Sequence, residues 1–593
     1  MDNATLAAPF RELARLLEYH GENPFKIRSY RAAYDVLRKS SAEMAALSRD
    51  ELQSVKGIGS AIADKIRELV EGGRIGTLER YREETPPVAR ELMTIRGLGP
   101  KKVRQLVEGL GVESFGELLH AVREHRVAEL KGWSTKSQAT LLAQLEFHER
   151  SLGSVLYAHA LPVAAGLLER AAAAGMDVRL VGAIARQEPT LSRIELLSSE
   201  EDFAWWRSQG FEAPKVPTEL PAAAGSVNPE PASTDAQGEL FGTSADPTVS
   251  AEDLAEGGHD VTLPQLVGEV EGLAVSLYLA SAAHLTYYEA ILSCTAEFAH
   301  ARGVDRVQRG DFASVAEVFA AADLPEVPAA QRDVRSPWPP TPAAELVQVP
   351  NIHGVVHAHT TWSDGSASVA EVAAAAQKAG YGYLVVTDHS RAAGYANGLS
   401  LERLRAQGKE IEALNATWDP GFRIFRGTEC DILRDGSLDY ADEVLADLDC
   451  VIASVHSVLR MSEADATERL LRAVANPYVD ILGHPTGRLL LGREGYPLDV
   501  DAVLDACAEN GTALELNASP YRLDLDWRHL GAARERGIPI SVNPDAHSTR
   551  GIADVRWGVA AAQKAGLRAE DCLNARSADD FAAWLAARRP AAH

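Results

Sequence analysis

The sequence predicts a multidomain chain of α+β and α/β parts that ends in a parallel barrel. Three observations carry that prediction. The chain has 593 residues, and at about 100–200 residues per domain it divides into about three to five domains. Residues 1–150 read as mostly helical, with apolar positions at three- and four-residue spacing in ATLAAPFRELARLLEYH and ADKIRELVEGG, broken by glycine. Beyond about residue 350, short strand-like runs alternate with helical segments. Seven such β-then-α units suggest a closed or nearly closed, distorted (β/α)7 barrel.

Between these parts, residues 151–330 mix short apolar runs with helices, as an α+β domain does. Residues 216–262 within it are rich in Pro, Ala, Ser, Gly and acid. That is the composition of a flexible insertion, with little apolar surface to offset ordering entropy. RSPWPPTPAAELVQVP reads as a stiff Pro-rich linker, assigned to 331–349. In 350–593 the strands are expected at 354-GVVHAH, 383-YLVVTDH, 423-RIFRGTE, 450-CVIASVH, 479-VDILGHP, 513-ALELNA and 538-IPISVNPDAH. SVAEVAAAAQKAG, LERLRAQGKEIEALN, ATERLLRAVANP, VDAVLDACAENG and LGAARERG supply the intervening helices.

Composition narrows the function classes. With 46% hydrophobic and 24% charged residues, a disordered or collagen-like chain is excluded. The formal charge of −25 would ordinarily argue against a nucleic-acid partner. The acidity is uneven, however: residues 1–150 hold 24 basic and 22 acidic side chains, the remainder 35 and 62. Five cysteines show no CxxC spacing, so neither a zinc ribbon nor a disulfide framework is indicated. MDNATLAAPF lacks the basic and apolar regions of a signal peptide. Stretches such as LAVSLYLASAAHL are shorter than the ~18 residues that span a bilayer. A cytoplasmic protein with no membrane partner is expected, and no feature specifies an oligomer, so a monomer.

Most barrel strands end in a residue able to bind a metal. They deliver His357 and His359, then His389, Glu429, His456, His484, and finally Asp545 and His547; Asp364 follows the first strand in a loop. Parallel barrels bring their C-terminal strand ends together on one face, where active sites sit. A single histidine is commonly structural, but recurrence at equivalent strand ends is not. A mixed imidazole and carboxylate shell suits Zn²⁺, Mn²⁺ or Fe²⁺. Nine ligands exceed the need of one ion, so two or three are expected.

HAHTTWSDG, TDHS, RGTECDIL, ASVHS, LGHPTGR and NPDAHS resemble, in order, the motifs of the polymerase-and-histidinol-phosphatase (PHP) family over about 350–580. The resemblance implies that His357, His359, Glu429 and Asp545 hold one ion. Glu429 would bridge to a second held with His456 and His484, and Asp364, His389 and His547 would hold a third. Asp388 would orient neighbouring groups. All nine positions are filled, which implies a hydrolase that works through metal-activated water without a protein nucleophile. Catalysis would then rest on His357, His359, Glu429, His456 and Asp545. Arg488 and Arg493 are candidate phosphate clamps, and Tyr521 and Arg522 candidate contacts to a DNA end.

Two G-x-G turns open helices in the near-neutral part: 55-VKGIGSAIADKI and 95-IRGLGPKKVRQL. Without Cβ atoms, Gly57, Gly59, Gly97 and Gly99 let a phosphate approach backbone N–H groups at a helix N-terminus. Such contacts bind backbone without reading bases. The turns resemble helix-hairpin-helix motifs, with Lys65, Lys101 and Lys102 as further DNA-binding residues. GENPFKIRSYRAAYDVLR resembles the start of the N-terminal domain of family X DNA polymerases. By that resemblance Lys65 matches a lyase lysine, although a solvated helix lysine fits the position equally well.

The order of parts resembles a bacterial family X polymerase with a fused PHP domain. This implies an N-terminal DNA-binding domain over 1–85 with the first hairpin, a fingers-like domain over 86–150 with the second, a nucleotidyltransferase palm and thumb over 151–330, and a PHP metallo-phosphoesterase over 350–593. The palm departs from the family pattern. Its Gly-Ser turn has become Gly182-Ala183, and its aspartate pair reads Arg193 and Glu195. Ser276 stands where the third acid belongs. Two-metal nucleotidyl transfer needs carboxylates, so Mg²⁺ or Mn²⁺ is not expected there and the palm is read as degenerate.

The leading expectation is therefore a sequence-independent, nucleoid-associated DNA repair hydrolase acting on 3′ ends of gapped or nicked duplex. Its activities would be a 3′–5′ exonuclease with 3′-phosphatase and abasic-site cleavage in base-excision repair. The alternatives are a template-directed polymerase with an accessory nuclease, a histidinol-phosphatase-like enzyme, and a scaffold for DNA ends.

Overall fold

The computed structural model describes residues 2–40, 42–95, 97–123, 127, 130–151, 153–214 and 263–589. The expected insertion at 216–262 lies outside the described residues. The chain forms two compact units, Met1–Leu152 and Gly153–His593.

The first unit is helical, with one core that includes Leu6, Phe10, Leu13, Leu17, Ile66, Leu92, Val103 and Leu106. Its two glycine turns each join a short helix to a longer one: Arg49–Ser54 to Ser60–Gly72, and Pro87–Thr94 to Pro100–Leu110. Ser48 and Glu51 close a capping box at the start of the first pair, which satisfies two N–H groups the helix leaves open. Gly57 and Gly97 adopt φ of +98° and +88°, the left-handed region that a side chain disfavours.

Besides an antiparallel pairing of Val155–Leu156 with Thr190–Leu191, the described residues of the second unit form two larger sheets. The smaller has strands β1 (Arg179–Val181), β2 (Ile194–Ser199), β3 (Gln265–Val270) and β4 (Leu273–Ala280), in the order β1-β2-β4-β3. β2 and β4 run parallel, with Glu195 opposite Ser276, and the outer pairs are antiparallel.

The larger sheet is the expected seven-stranded parallel barrel. Its strands are β5 (Gly354–Ala358), β6 (Tyr383–Val386), β7 (Arg423–Asp431), β8 (Cys450–Ser454), β9 (Ile481–Leu482), β10 (Ala513–Asn517) and β11 (Ile540–Asn543). They pair in sequence order, each with the next. The first and last meet where His359 N donates to Ala546 O at 2.8 Å and Ala546 N to His357 O at 3.2 Å. Every residue of β5, β6, β8, β9, β10 and β11 is buried, as strands covered on both faces must be.

The Pro-rich segment differs from a free spacer. Gln331, Arg332, Asp333, Ser336, Thr341 and Val347 are buried, and Thr341 Oγ1 donates to Gly566 O at 2.7 Å. It lies against the barrel because its polar groups find partners there. Buried charge reinforces the join: Lys564 Nζ, on helix Val555–Lys564, lies 2.8 Å from Glu188 Oε1 and 4.0 Å from Asp333 Oδ2.

Candidate metal centre and nucleic-acid interface

The barrel brings all nine predicted ligands together, because each lies in a strand or in the loop that leaves its C-terminal end. They form four overlapping groups that could hold a metal ion: His357, His359 and Glu429; His357, His484 and Asp545; His389, Glu429 and His456; and His359, Asp364, His389 and His547. Glu429 stands at the centre. Its Oε1 lies 2.9 Å from His484 Nε2, 3.0 Å from His456 Nε2 and 3.3 Å from His357 Nε2, and its Oε2 is 2.9 Å from His389 Nδ1. Asp545 Oδ1 approaches His359 Nε2 at 3.2 Å. His359 and His389 each join a group beyond the one the family resemblance gives them, and His484 falls with His357 and Asp545, so the ligand sets overlap more than three separate sites would.

Several features fit divalent ions at this cluster. His357 Nε2, both ring nitrogens of His359 and His389 Nδ1 are buried without a hydrogen bond, a costly state unless a metal ion satisfies them. His357, His484 and Asp545 carry positive φ of 68°, 23° and 52°. Each such backbone costs about 1–3 kcal/mol, strain that is characteristic of functional sites. Burial alone would depress His357, but Glu515, Asp545 and Glu429 hold its imidazole well above the ordinary value. Against burial, His456, His357 and His389 hold Glu429 well below the carboxylate range. Burial, with His547 and His389, pushes His359 down to about 4.

A surrounding set of acids orients the ligands. His357 Nδ1 donates to Glu515 Oε1 at 2.6 Å, and His456 Nδ1 to Asp431 Oδ1 at 3.2 Å. Both bonds leave Nε2 directed at Glu429, the arrangement that fixes the tautomer of a ligating histidine. Sequence reasoning missed Glu515 and Asp431; an acid inside the apolar run ALELNA was the available signal. Asp388 accepts from Thr360 N at 2.8 Å and Thr360 Oγ1 at 2.6 Å, so it shapes the loop carrying Asp364. In that loop a Cβ at Gly365 would stand 2.4 Å from His359 O, which only glycine permits.

The arginines fall differently from expectation. Arg488 is bound internally by Asp526 and the carbonyls of Arg522 and Leu523, and Arg493 by the Gly487 carbonyl. Both hold loop backbone. Arg522 is the arginine the fold brings to the cluster, with Nε 3.6 Å from Asp545 Oδ2. The adjacent Tyr521 is half exposed and sits edge-on to His159 at 5.9 Å. Tyr395, unremarked in the sequence, stands at the mouth with ring centroids 6.2 Å from His389 and 6.4 Å from His456.

In the smaller sheet, Arg193 Nη1 lies 3.5 Å from Ser276 Oγ, so the positions assigned to the palm acids are neighbours. Glu195 turns toward the Gly182-Ala183 turn. Its carboxylate accepts from Ala183 N at 3.2 Å and Tyr278 Oη at 3.1 Å. A Cβ at Gly182 would stand 1.8 Å from its Oε2. Burial raises this carboxyl above its ordinary range.

The hairpins present open N-termini. Neither Gly59 nor Gly99 supplies a side-chain cap, and nothing lies within 4 Å of where either Cβ would stand. Lys101 and Lys102 are exposed in the first turn of the second hairpin's longer helix. Lys65 Nζ is paired with Glu68 Oε2 at 2.6 Å, so a Schiff-base role would require release from that carboxylate.

Comparison with known proteins finds family models in the hairpin and barrel parts. Residues 1–75 match a helix-hairpin-helix domain, 89–146 a SAM-like helix-hairpin-helix tandem and 356–519 a PHP domain. A DNA polymerase/3′–5′ exonuclease PolX of Bacillus subtilis (strain 168) is 33% identical over 582 residues, covering 97% of each chain. A probable phosphatase of Thermoanaerobacter sp. (strain X514) is 31% identical over 216 residues, which are 33% of this chain and 85% of the phosphatase. Another, of Shewanella sp. (strain MR-4), is 30% identical over 202 residues, 32% of this chain and 75% of its own.

Proposed function

This chain belongs to the PolX family of DNA polymerase/3′–5′ exonucleases, and on that premise we propose that its working activity is metal-dependent phosphodiester hydrolysis at DNA 3′ ends. The cluster of nine ligands with buried, unbonded imidazole nitrogens carries this reading. Two or three divalent ions, Zn²⁺, Mn²⁺ or Fe²⁺, suit the donor set. Bound there, they supply activation of water and neutralisation of charge on the phosphoryl oxygens. Glu515 and Asp431 keep His357 and His456 in one tautomer, and Arg522 offers a guanidinium to a phosphate oxygen. Likeness of the PHP part alone to probable phosphatases favours 3′-phosphatase activity beside the nuclease. The hairpins favour DNA over a small substrate. We place the activity in the cytoplasm, where five free, buried cysteines stay reduced.

Chelation is expected to abolish nucleotide release from a 3′-labelled oligonucleotide, and Mn²⁺ or Zn²⁺ to restore it, with elemental analysis giving two or three ions per chain. Release that survives chelation would sink the reading.

We also propose that the smaller sheet no longer supports templated synthesis and serves to position DNA. Glu195 occupies the backbone turn expected to meet a triphosphate, and Arg193 brings positive charge where cations must bind. Primer extension by the nuclease-dead His359→Ala protein, with Mg²⁺ or Mn²⁺, should stay at background; robust extension would overturn this.

Residues 1–150 should bind DNA in a salt-sensitive way, and 350–593 much more weakly. With about two to four phosphates contacted, log K should fall against log salt with a slope of about −2 to −4. A salt-independent affinity would rule out backbone contact by the hairpins.

A further inference from the structure

Tyr395 is 73% exposed. A single exposed aromatic is ordinary on a protein surface, so exposure carries nothing alone. Two further observations do. The ring lies beside two of the nine candidate ligands, with centroids 6.2 Å from His389 and 6.4 Å from His456 and its plane tilted 59° and 66° from theirs. Its loop is also held firmly. Leu399 N donates to His389 O at 2.9 Å and Ala396 N to Ala393 O at 2.9 Å. Asn397 Nδ2 donates to Trp362 O at 3.1 Å and Ser363 O at 3.2 Å. The flanking Ala393 and Ala396 are buried. The fold thus anchors both sides of this short turn and leaves the Tyr395 ring exposed.

A nucleotide whose phosphate enters the ligand cluster carries its base one sugar ring away. We infer that Tyr395 is the stacking platform for the 3′-terminal nucleobase, and so makes the centre select nucleotides over phosphoesters lacking a base. This rests on the phosphoesterase reading above. Stacking tolerates every base, since each has a π-face. That suits hairpins which contact backbone without reading sequence.

The test uses the full chain with Mn²⁺ and two single-stranded oligonucleotides, identical except that one ends in a normal nucleotide and the other in a tetrahydrofuran abasic analogue. The wild-type protein should release the normal terminus about tenfold faster, a modest value for one base stacked on one aromatic ring. Tyr395→Ala should remove that preference while leaving release of the abasic terminus unchanged, and Tyr395→Phe should keep it. A second readout needs no turnover. On the His359→Ala background, fluorescence of a 3′-terminal 2-aminopurine should be quenched on binding, and the quench should be lost in the double variant with Tyr395→Ala. Preference retained by Tyr395→Ala, or lost equally in Tyr395→Phe, overturns the inference while the nuclease reading stands. Absence of Mn²⁺-dependent release from either oligonucleotide by the wild-type protein overturns the nuclease reading itself.

Discussion

His359→Ala is expected to cut Mn²⁺-dependent nucleotide release by about a thousandfold or more, while DNA affinity stays within about twofold of wild type. His359 is fully buried, with Nε2 3.2 Å from Asp545 Oδ1 and 3.6 Å from Glu429 Oε2, and Nδ1 3.8 Å from Asp364 Oδ1. It belongs to two of the four candidate ligand groups, so its loss opens both at once. Metal ions contribute several kcal/mol to such displacements, and about 1.4 kcal/mol is a factor of ten in rate. Affinity is spared because the hairpins lie in the other compact unit. Filter binding beside a single-turnover nuclease assay checks both halves. Unchanged release would remove the cluster from the reaction, and a parallel collapse of affinity would show that the cluster is a binding site.

Lys564→Met should destabilise the second unit by about 3 kcal/mol, the lower end of the cost of removing one partner from a buried ion pair. The ammonium is fully buried, and burial pulls it below the ordinary lysine range despite Glu188 and Asp333. Its removal leaves Glu188 with Arg186 at 4.0 Å and Arg335 at 3.8 Å, so the carboxylate retains distant positive charge. Lys564 Nζ also lies 4.4 Å from the centre of the Trp527 ring, so denaturation followed by tryptophan fluorescence reads the change directly. Glu188→Gln added to Lys564→Met should recover part of the loss, because the double variant buries no unpaired carboxylate there. A shift below about 0.5 kcal/mol would show that water relieves the pair.

The nine candidate ligands were legible because a parallel barrel turns a one-dimensional pattern into a three-dimensional one. A histidine or acid just past each apolar run must arrive on the same face, whatever the loops do. The hairpins were legible for a similar reason, since positive φ at Gly57 and Gly97 is a local demand that glycine meets. Glu515 escaped notice because it lies within its strand, where an acid reads as an interruption of the apolar run. Arg488 and Arg493 misled because the sequence shows that a guanidinium is near LGHPTGR but not which carbonyls turn to meet it. Tyr395 and Arg522 lie in loops whose paths depend on contacts with other loops.

The sequence by itself determined the order of the helical, mixed and barrel parts, the strand ends that carry the candidate ligands, and the identity of Arg193, Glu195 and Ser276 at the positions proposed for palm acids. These are matters of periodicity and residue type, which act over a few positions. Only the tertiary structure decided that His359 and His389 are each shared by two ligand groups, that Glu195 fills the Gly182 turn, that the Pro-rich segment is docked and that Arg522 is the arginine at the centre. Each of those depends on where groups distant in sequence come to rest, and burial forces such groups to find partners that no local pattern names.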